Sequence, residues 1–184
     1  MTKESEVDRE ALDEAYRRGC DYLMRYACAP GVFAAVMDTL GYKDDPRVND
    51  VWKAAGGLIG GTGNMAIGTC GAMAGAAMAI SYSLGIPRAR AEDPEEMGKM
   101  MNVANVVAEV GKKMQEKYGH IQCQEVQFHL LGKSYRFTNP KAMEEFMKLS
   151  LSSPACREMN GDLAKWTVEK ILEHNPQFSK RKQK

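Results

Sequence analysis

The sequence predicts an all-α fold: a compact multi-helix bundle with cysteines at helix N-termini around a Gly-rich loop. Three observations predict it. Apolar residues recur every three to four positions through most of the chain. Four dipeptides, Asp45-Pro46, Asp93-Pro94, Asn139-Pro140 and Ser153-Pro154, set a capping side chain before a proline suited to the first helical position. Alternating β-type segments are scarce, with Lys133 to Thr138 the only candidate.

The elements follow in order. Leu12, Ala15, Tyr16, Gly19, Tyr22, Leu23 and Tyr26 give the stripe of a first helix over about residues 7–26. Val32 to Leu40 reads as a second, stopped by Gly41, with Cys28 and Pro30 suited to its first turn. Residues 46–58 form a third and 70–84 a fourth, with Thr69 as cap and Gly85 as stop. A long fifth helix starts behind Asp93, where Glu96 completes a capping-box spacing. Its expected buried stripe is Met97, Met100, Met101, Ala104, Val107, Ala108, Met114 and Tyr118, and Gly119 ends it. Three more helices are expected over about residues 122–131, 140–151 and 154–174. The thirteen methionines are assigned mainly to helical stripes, as core filler.

A chain of 184 residues, 44% hydrophobic and 27% charged, suits one helical domain over 1–178. Residues 179–184, with Lys180, Arg181, Lys182 and Lys184, read as a basic, disordered tail. A formal net charge of +1 gives no overall field toward nucleic acid or an anionic membrane. No apolar stretch follows the charged N-terminus, so no secretory signal is expected. The longest uncharged run, Ala54 to Pro87, has a dense apolar part of about 15 residues, short of the roughly 20 that span a bilayer. A buried helix and a cytoplasmic location are the expectation, with no membrane insertion. A homo-oligomer is left open.

Residues 60–75 read GGTGNMAIGTCGAMAG. Glycine costs about 1 kcal/mol relative to alanine inside a helix, so this cluster needs a reason. Either two backbones approach closely, or a bulky guest fits beside the chain.

Five cysteines are present, and none forms a CxxC pair. Cys28, Cys70, Cys123 and Cys156 each fall at or beside an expected helix N-terminus. Free N–H groups and about half a positive charge there favour thiolate, so the spacing predicts thiol pKa values below the reference of about 8.5. Such positions suit metal ligation or thiol chemistry. A small buried core residue is the plain alternative for each, and it is the preferred one for Cys20, which falls mid-helix.

Cys70-Gly71-Ala72-Met73-Ala74-Gly75 is a CGAxxG segment. One cysteine stands upstream of it and two single ones downstream, with GGLIGGTGN before it, SYSLG after it and EKYGHIQC leading to the third cysteine. In these features, over about residues 10–173, the chain resembles the redox-active family called C_GCAxxG_C_C. The resemblance implies a helical redox protein, similar to a module of split-Soret cytochromes for which an iron–sulfur centre has been proposed. Two departures stand out. Cys28 lies in Ala27-Cys28-Ala29-Pro30, where the family commonly has an Asn-Cys-Ala-Gln type of context, and the segment between Cys123 and Cys156 is long. Without a CxxCH, no haem attachment is expected.

If the fold gathers these four sulfurs, they cannot all remain bare thiolates. Two unit charges 4 Å apart repel by about 4 kcal/mol at an effective dielectric near 20. They must protonate, oxidise or bind a cation, and both iron–sulfur clusters and zinc accept four cysteines. The first expectation is therefore a protein that holds an iron–sulfur cluster on Cys28, Cys70, Cys123 and Cys156 and exchanges electrons with a redox partner protein. A thiol–disulfide enzyme using the same cysteines and a structural zinc module are the alternatives. Gly71 and Gly75 would make room for a cluster or a packed helix, and the 56–68 loop would aim N–H groups at sulfur.

Other signals lead less far. Gly61-Thr62-Gly63-Asn64-Met65-Ala66 fits a dinucleotide fingerprint but lacks the preceding strand and following acid. His120, three residues before Cys123, and His129 are candidate extra ligands, with a structural role the plainer reading. No hydrolytic constellation can be placed from spacing.

Overall fold

In the computed structural model the description covers residues 3–152 and 154–178, with side chains for 9–149 and 154–178. The basic tail at 179–184 and the expected cap Ser153 lie outside the described residues. Among the described residues there are eight α-helices and no strand. They are α1 (Lys3–Tyr26), α2 (Cys28–Thr39), α3 (Pro46–Ala54), α4 (Gly71–Leu84), α5 (Pro94–Tyr118), α6 (Cys123–Leu131), α7 (Pro140–Ser152) and α8 (Ala155–His174). Two short 3-10 turns, Ala55–Leu58 and Arg88–Arg90, complete the order.

Three of the four proline-led starts behave as the sequence predicts, while at the fourth Pro154 is the cap residue and α8 begins at Ala155. Asp45 accepts from the Arg47 N–H at 2.9 Å, Asp93 from the Glu95 N–H at 2.9 Å and Asn139 from the Lys141 N–H at 3.0 Å. The capping box at Glu96 does not form: its carboxylate pairs with Lys99 at 2.8 Å and with Arg90 instead. Helix α2 starts at Cys28 rather than Val32, and so takes Pro30 into its first turn. The 133–138 segment makes no strand.

Helices α2 and α4 are apolar almost all round, as expected of helices buried in the middle of a bundle. Around them stand α1, α5 and α8, and the core joins Val32, Phe33, Val36 and Met37 of α2 to Ile80 of α4, Val106, Val110 and Met114 of α5, and Leu163, Val168 and Ile171 of α8. Helices α1 and α8 cross in close contact. A Cβ on Gly19 would lie 2.5 Å from the Asn160 carbonyl oxygen, and one on Gly161 would lie 2.6 Å from the Cys20 sulfur. Gly75 similarly lets α4 approach the Ala29 carbonyl of α2. Close backbone packing thus accounts for this part of the glycine pattern.

One helix presents a different face than its methionines suggest. In α5 the buried positions are Glu96, Val103, Val106, Val110, Gly111, Met114 and Tyr118. Met97, Met100 and Met101 are exposed, as are Met24, Met65 and Met147. The β-branched Val103, Val106 and Val110 keep a 3–4 spacing that continues into Met114 and Tyr118, and that row meets the core. Methionine is therefore not mainly core filler here; the buried ones are Met37, Met73, Met114 and Met159.

Candidate functional site

Two loops and four helix starts build the site. The chain turns from α1 into α2 through Ala27, held at φ 64° and ψ −175°. Few residues other than glycine tolerate that conformation, and it costs on the order of 1–3 kcal/mol. Cys28 follows at once as the first residue of α2.

The second loop, residues 59–68, is laced by backbone bonds: Gly63 N–H to the Gly57 carbonyl, Asn64 to Ile59, Ala66 to Gly60 and Gly68 to Gly61, all between 2.9 and 3.0 Å. Left-handed backbone at Gly60, Gly61, Thr62, Gly63, Asn64 and Ala66 coils it tightly. At its end Thr69 pairs with Gln122 in an isolated antiparallel bridge. The Cys70 N–H donates to the Ile121 carbonyl at 2.8 Å and the Cys123 N–H to the Gly68 carbonyl at 2.9 Å. This bridge sets the starts of α4 and α6 side by side. Cys70 is the cap residue of α4 rather than its first turn, and Thr69 serves the bridge rather than a cap. Cys123 opens α6, and Cys156 lies in the first turn of α8.

Cys28, Cys70, Cys123 and Cys156 all line one cavity of about 280 Å³. Cys70 and Cys123 are buried, and Cys28 and Cys156 half-buried. All five cysteines are free thiols. Gly71 is needed here, because a Cβ on it would collide with the Cys28 sulfur. Gly61 is needed too, since its Cβ would lie 2.6 Å from that of Cys123.

Donors from the loop, the helix starts and one side chain reach the sulfurs, the Ala29, Gly71 and Ala72 N–H groups among them. The Gly60 backbone N–H donates to Cys28 Sγ at 3.4 Å. Gln127 Nε2 donates to Cys123 Sγ at 3.2 Å, while its Oε1 accepts from the Tyr135 N–H at 2.8 Å. That second bond fixes which end of the amide faces sulfur. The rest of the cavity is mostly apolar, with Leu23 and Met24 from α1, Leu131 from α6, Phe137 from the 132–139 loop, and Met143, Phe146 and Met147 from α7.

The thiol acidities reverse the expectation drawn from helix N-termini. Burial pushes all four up. Cys123 rises to about 11, where burial outweighs the Gln127 hydrogen bond and Cys28 adds a smaller repulsion, and Cys156 rises to about 12 by burial first and then by repulsion from Cys123 and Cys28. Cys70 rises well above 9.0 by burial and by the nearby Cys123 and Cys28. For Cys28, burial outweighs the hydrogen bonds from the backbone N–H groups of Gly60, Ala29, Cys28 itself and Gly71. The half-charge of a helix end is smaller than the cost of charging a buried sulfur beside three others, so the unliganded site holds neutral thiols.

Among the described residues, no three His, Cys, Asp or Glu side chains converge closely enough to grip one metal ion. The four cysteines instead share the lining of one cavity. His120 and His129 are exposed and do not line it: His120 Nδ1 accepts from the Gln122 N–H at 3.4 Å, and His129 lies over Gly119. Cys20 does not line it either; it bonds to Tyr16 and packs at the α1–α8 crossing. The residues before Gly61 are a helix and a 3-10 turn, so the dinucleotide fingerprint has no strand to sit on. Spacing did not reveal Gln127, Asn64, Asn160 or Phe137 as site residues. Two of them carry a signal in hindsight, since Gln127 and Asn160 each follow a site cysteine by four residues, one helical turn.

Among the described residues no helix is long and apolar enough to cross a membrane. No curated protein and no solved structure matches the chain. A family model described as "Putative redox-active protein (C_GCAxxG_C_C)" matches residues 26–170, a span holding all four cavity cysteines and both loops. The chain belongs to the C_GCAxxG_C_C family.

Proposed function

We propose that this protein exchanges electrons through an iron–sulfur cluster held by Cys28, Cys70, Cys123 and Cys156. The observation that carries the reading is the meeting of these four dispersed cysteines on one cavity. When bound, such a group supplies one-electron redox chemistry, tuned by burial and by hydrogen bonds to sulfur. The chain's own contributions follow from the geometry. Gly60 and Gln127 would stabilise negative charge on Cys28 and Cys123. Leu131, Phe137 and Phe146 would exclude water. Gly71 would let Cys28 face its partners without a side chain between them.

The donor set also bears on the alternatives. A single zinc ion needs ligands about 2.3 Å from one point, and no three candidate groups converge so among the described residues. An iron–sulfur cluster spreads its four cysteine ligands over several iron atoms, so it does not need them to meet at one point. A thiol–disulfide enzyme remains the second reading, favoured by four free thiols on one cavity. Raised thiol pKa values count against it, because the thiolate is the nucleophile. Five free cysteines suit a reducing compartment, which is why we place the protein in the cytoplasm with a protein redox partner.

The test is visible absorption of anaerobically purified protein beside its Cys70→Ala variant. The reading expects broad absorption that the variant lacks. A colourless protein whose thiols become alkylatable only after reduction would favour the thiol–disulfide enzyme.

A further inference from the structure

Helix α5 leaves an apolar row in the open. Its valines turn inward, and a line of exposed positions runs down another side: Asp93, which caps the helix, then Met97, Met101, Ala104, Ala108 and Lys112. Steps of three or four residues keep them on one face. Met97 is 49% exposed and Met101 59%, with Met100 beside them at 44%. Scattered apolar side chains on a surface need no explanation, but an aligned row closed by a charge at each end does.

The row is complementary to itself. Laid antiparallel against a second copy and centred between Asn102 and Val103, it sets Met97 against Ala108 and Met101 against Ala104. A long side chain then meets a short one at every level, which lets two helices interdigitate. Asp93 and Lys112 are equally far from that centre, so an acid faces a base at both ends. A parallel pairing would instead set Asp93 on Asp93 and Lys112 on Lys112, and align the two helix dipoles. An isologous contact requires that each residue's partner lie on the same patch, and this face meets that condition in both size and charge.

We propose that two copies of this chain associate through this face of α5, as an antiparallel helix pair. Among the described residues, none of α5 lines the cysteine cavity, so the pairing leaves that site open in both copies and does not depend on what the cysteines hold. A single helix face lies at the small end of protein interfaces, and the dimer should be reversible.

Sedimentation velocity of the full-length protein from about 2 to about 200 μM tests it, with reductant present to prevent intermolecular disulfides. Dimer should grow with concentration and predominate at the top of that range. Met101→Lys places two charges inside the contact and should weaken association at least about tenfold, with unchanged circular dichroism because the position is exposed in the single chain. Lys112→Glu brings two carboxylates together at each end and should weaken it at least about threefold. Asp93→Asn, which keeps a capping oxygen, should weaken association of the wild type and strengthen that of Lys112→Glu. Such a reversal of sign requires the two residues to face each other. Monomer at every concentration, a dimer untouched by Met101→Lys, or stronger association with Asp93→Asn in both backgrounds would each overturn the proposal, the first by leaving the methionines to a different protein.

Discussion

Thr69 pairs with Gln122 in an antiparallel bridge, and a cysteine follows each of them. This contact ties the segment before α4 to the segment before α6, across more than fifty residues of chain. It fixes Cys70 and Cys123 at the base of the cavity by backbone bonds, with no dependence on a bound group. The site is therefore expected to be largely formed before any guest arrives.

The coiled loop that feeds the bridge should be intolerant of added bulk. Gly61 has φ 71°, and a Cβ there would lie 2.6 Å from that of Cys123. Gly61→Ala should destabilise the protein by about 2–4 kcal/mol, through backbone strain and overpacking together. Urea unfolding measures it. Gly98 is the contrast: it is exposed within α5 and a Cβ there meets nothing within 4 Å. Gly98→Ala should stabilise by about 0.5–1 kcal/mol.

Gly71 separates packing from function. Its α-carbon faces the Cys28 sulfur, so Gly71→Ala should displace that sulfur at a fold cost of about 1–3 kcal/mol. Bound iron per chain should fall sharply while far-UV circular dichroism stays helical. Unchanged iron content in a folded Gly71→Ala protein would contradict this role.

Gln127 can be tested at either end of its amide. Gln127→Glu keeps an oxygen for the Tyr135 N–H but loses the donor to Cys123 Sγ. Any bound redox group should then show a lower reduction potential, since negative charge on sulfur is less stabilised. Gln127→Leu also orphans the buried Tyr135 N–H and should cost an additional 1–3 kcal/mol or so of stability. Potentiometry and urea unfolding read the two effects apart.

The raised thiols give a pH dependence for metal-free, reduced protein. Cys123 at about 11 and Cys156 at about 12 lie above the 9.0 of an unperturbed thiol. A folded-state pKa raised above the unfolded value means stability that is complete below about pH 9 and is lost as pH climbs through 11 to 12. The urea midpoint should fall over that window, and Cys156→Ala should flatten the fall. A midpoint constant up to pH 11 would contradict the buried, neutral thiols.

Much of this was legible in the residues. Asp45-Pro46, Asp93-Pro94 and Asn139-Pro140 mark helix starts because capping and proline geometry act over three or four residues. The CGAxxG segment and three further cysteines pointed to the family and the site. What stayed hidden depends on distant parts of the chain. The acidity of Cys156 follows from burial beside Cys123 and Cys28, which no local rule contains. The 132–139 stretch offers in sequence only a β-type pattern over Lys133 to Thr138, yet it makes no strand, buries Tyr135 and sets Phe137 on the cavity. Met97, Met100 and Met101 carry the most apolar bulk at the start of α5 and still face outward, because the valine row decides which side packs.

The central claim, a cluster on four cysteines, is tested most directly by iron and acid-labile sulfide per chain in protein purified without oxygen. The account predicts both elements in near-equal, whole-number amounts, each lost in Cys28→Ala, Cys70→Ala, Cys123→Ala and Cys156→Ala alike. Full-length folded protein with neither element, before and after anaerobic reconstitution with iron and sulfide, would contradict it.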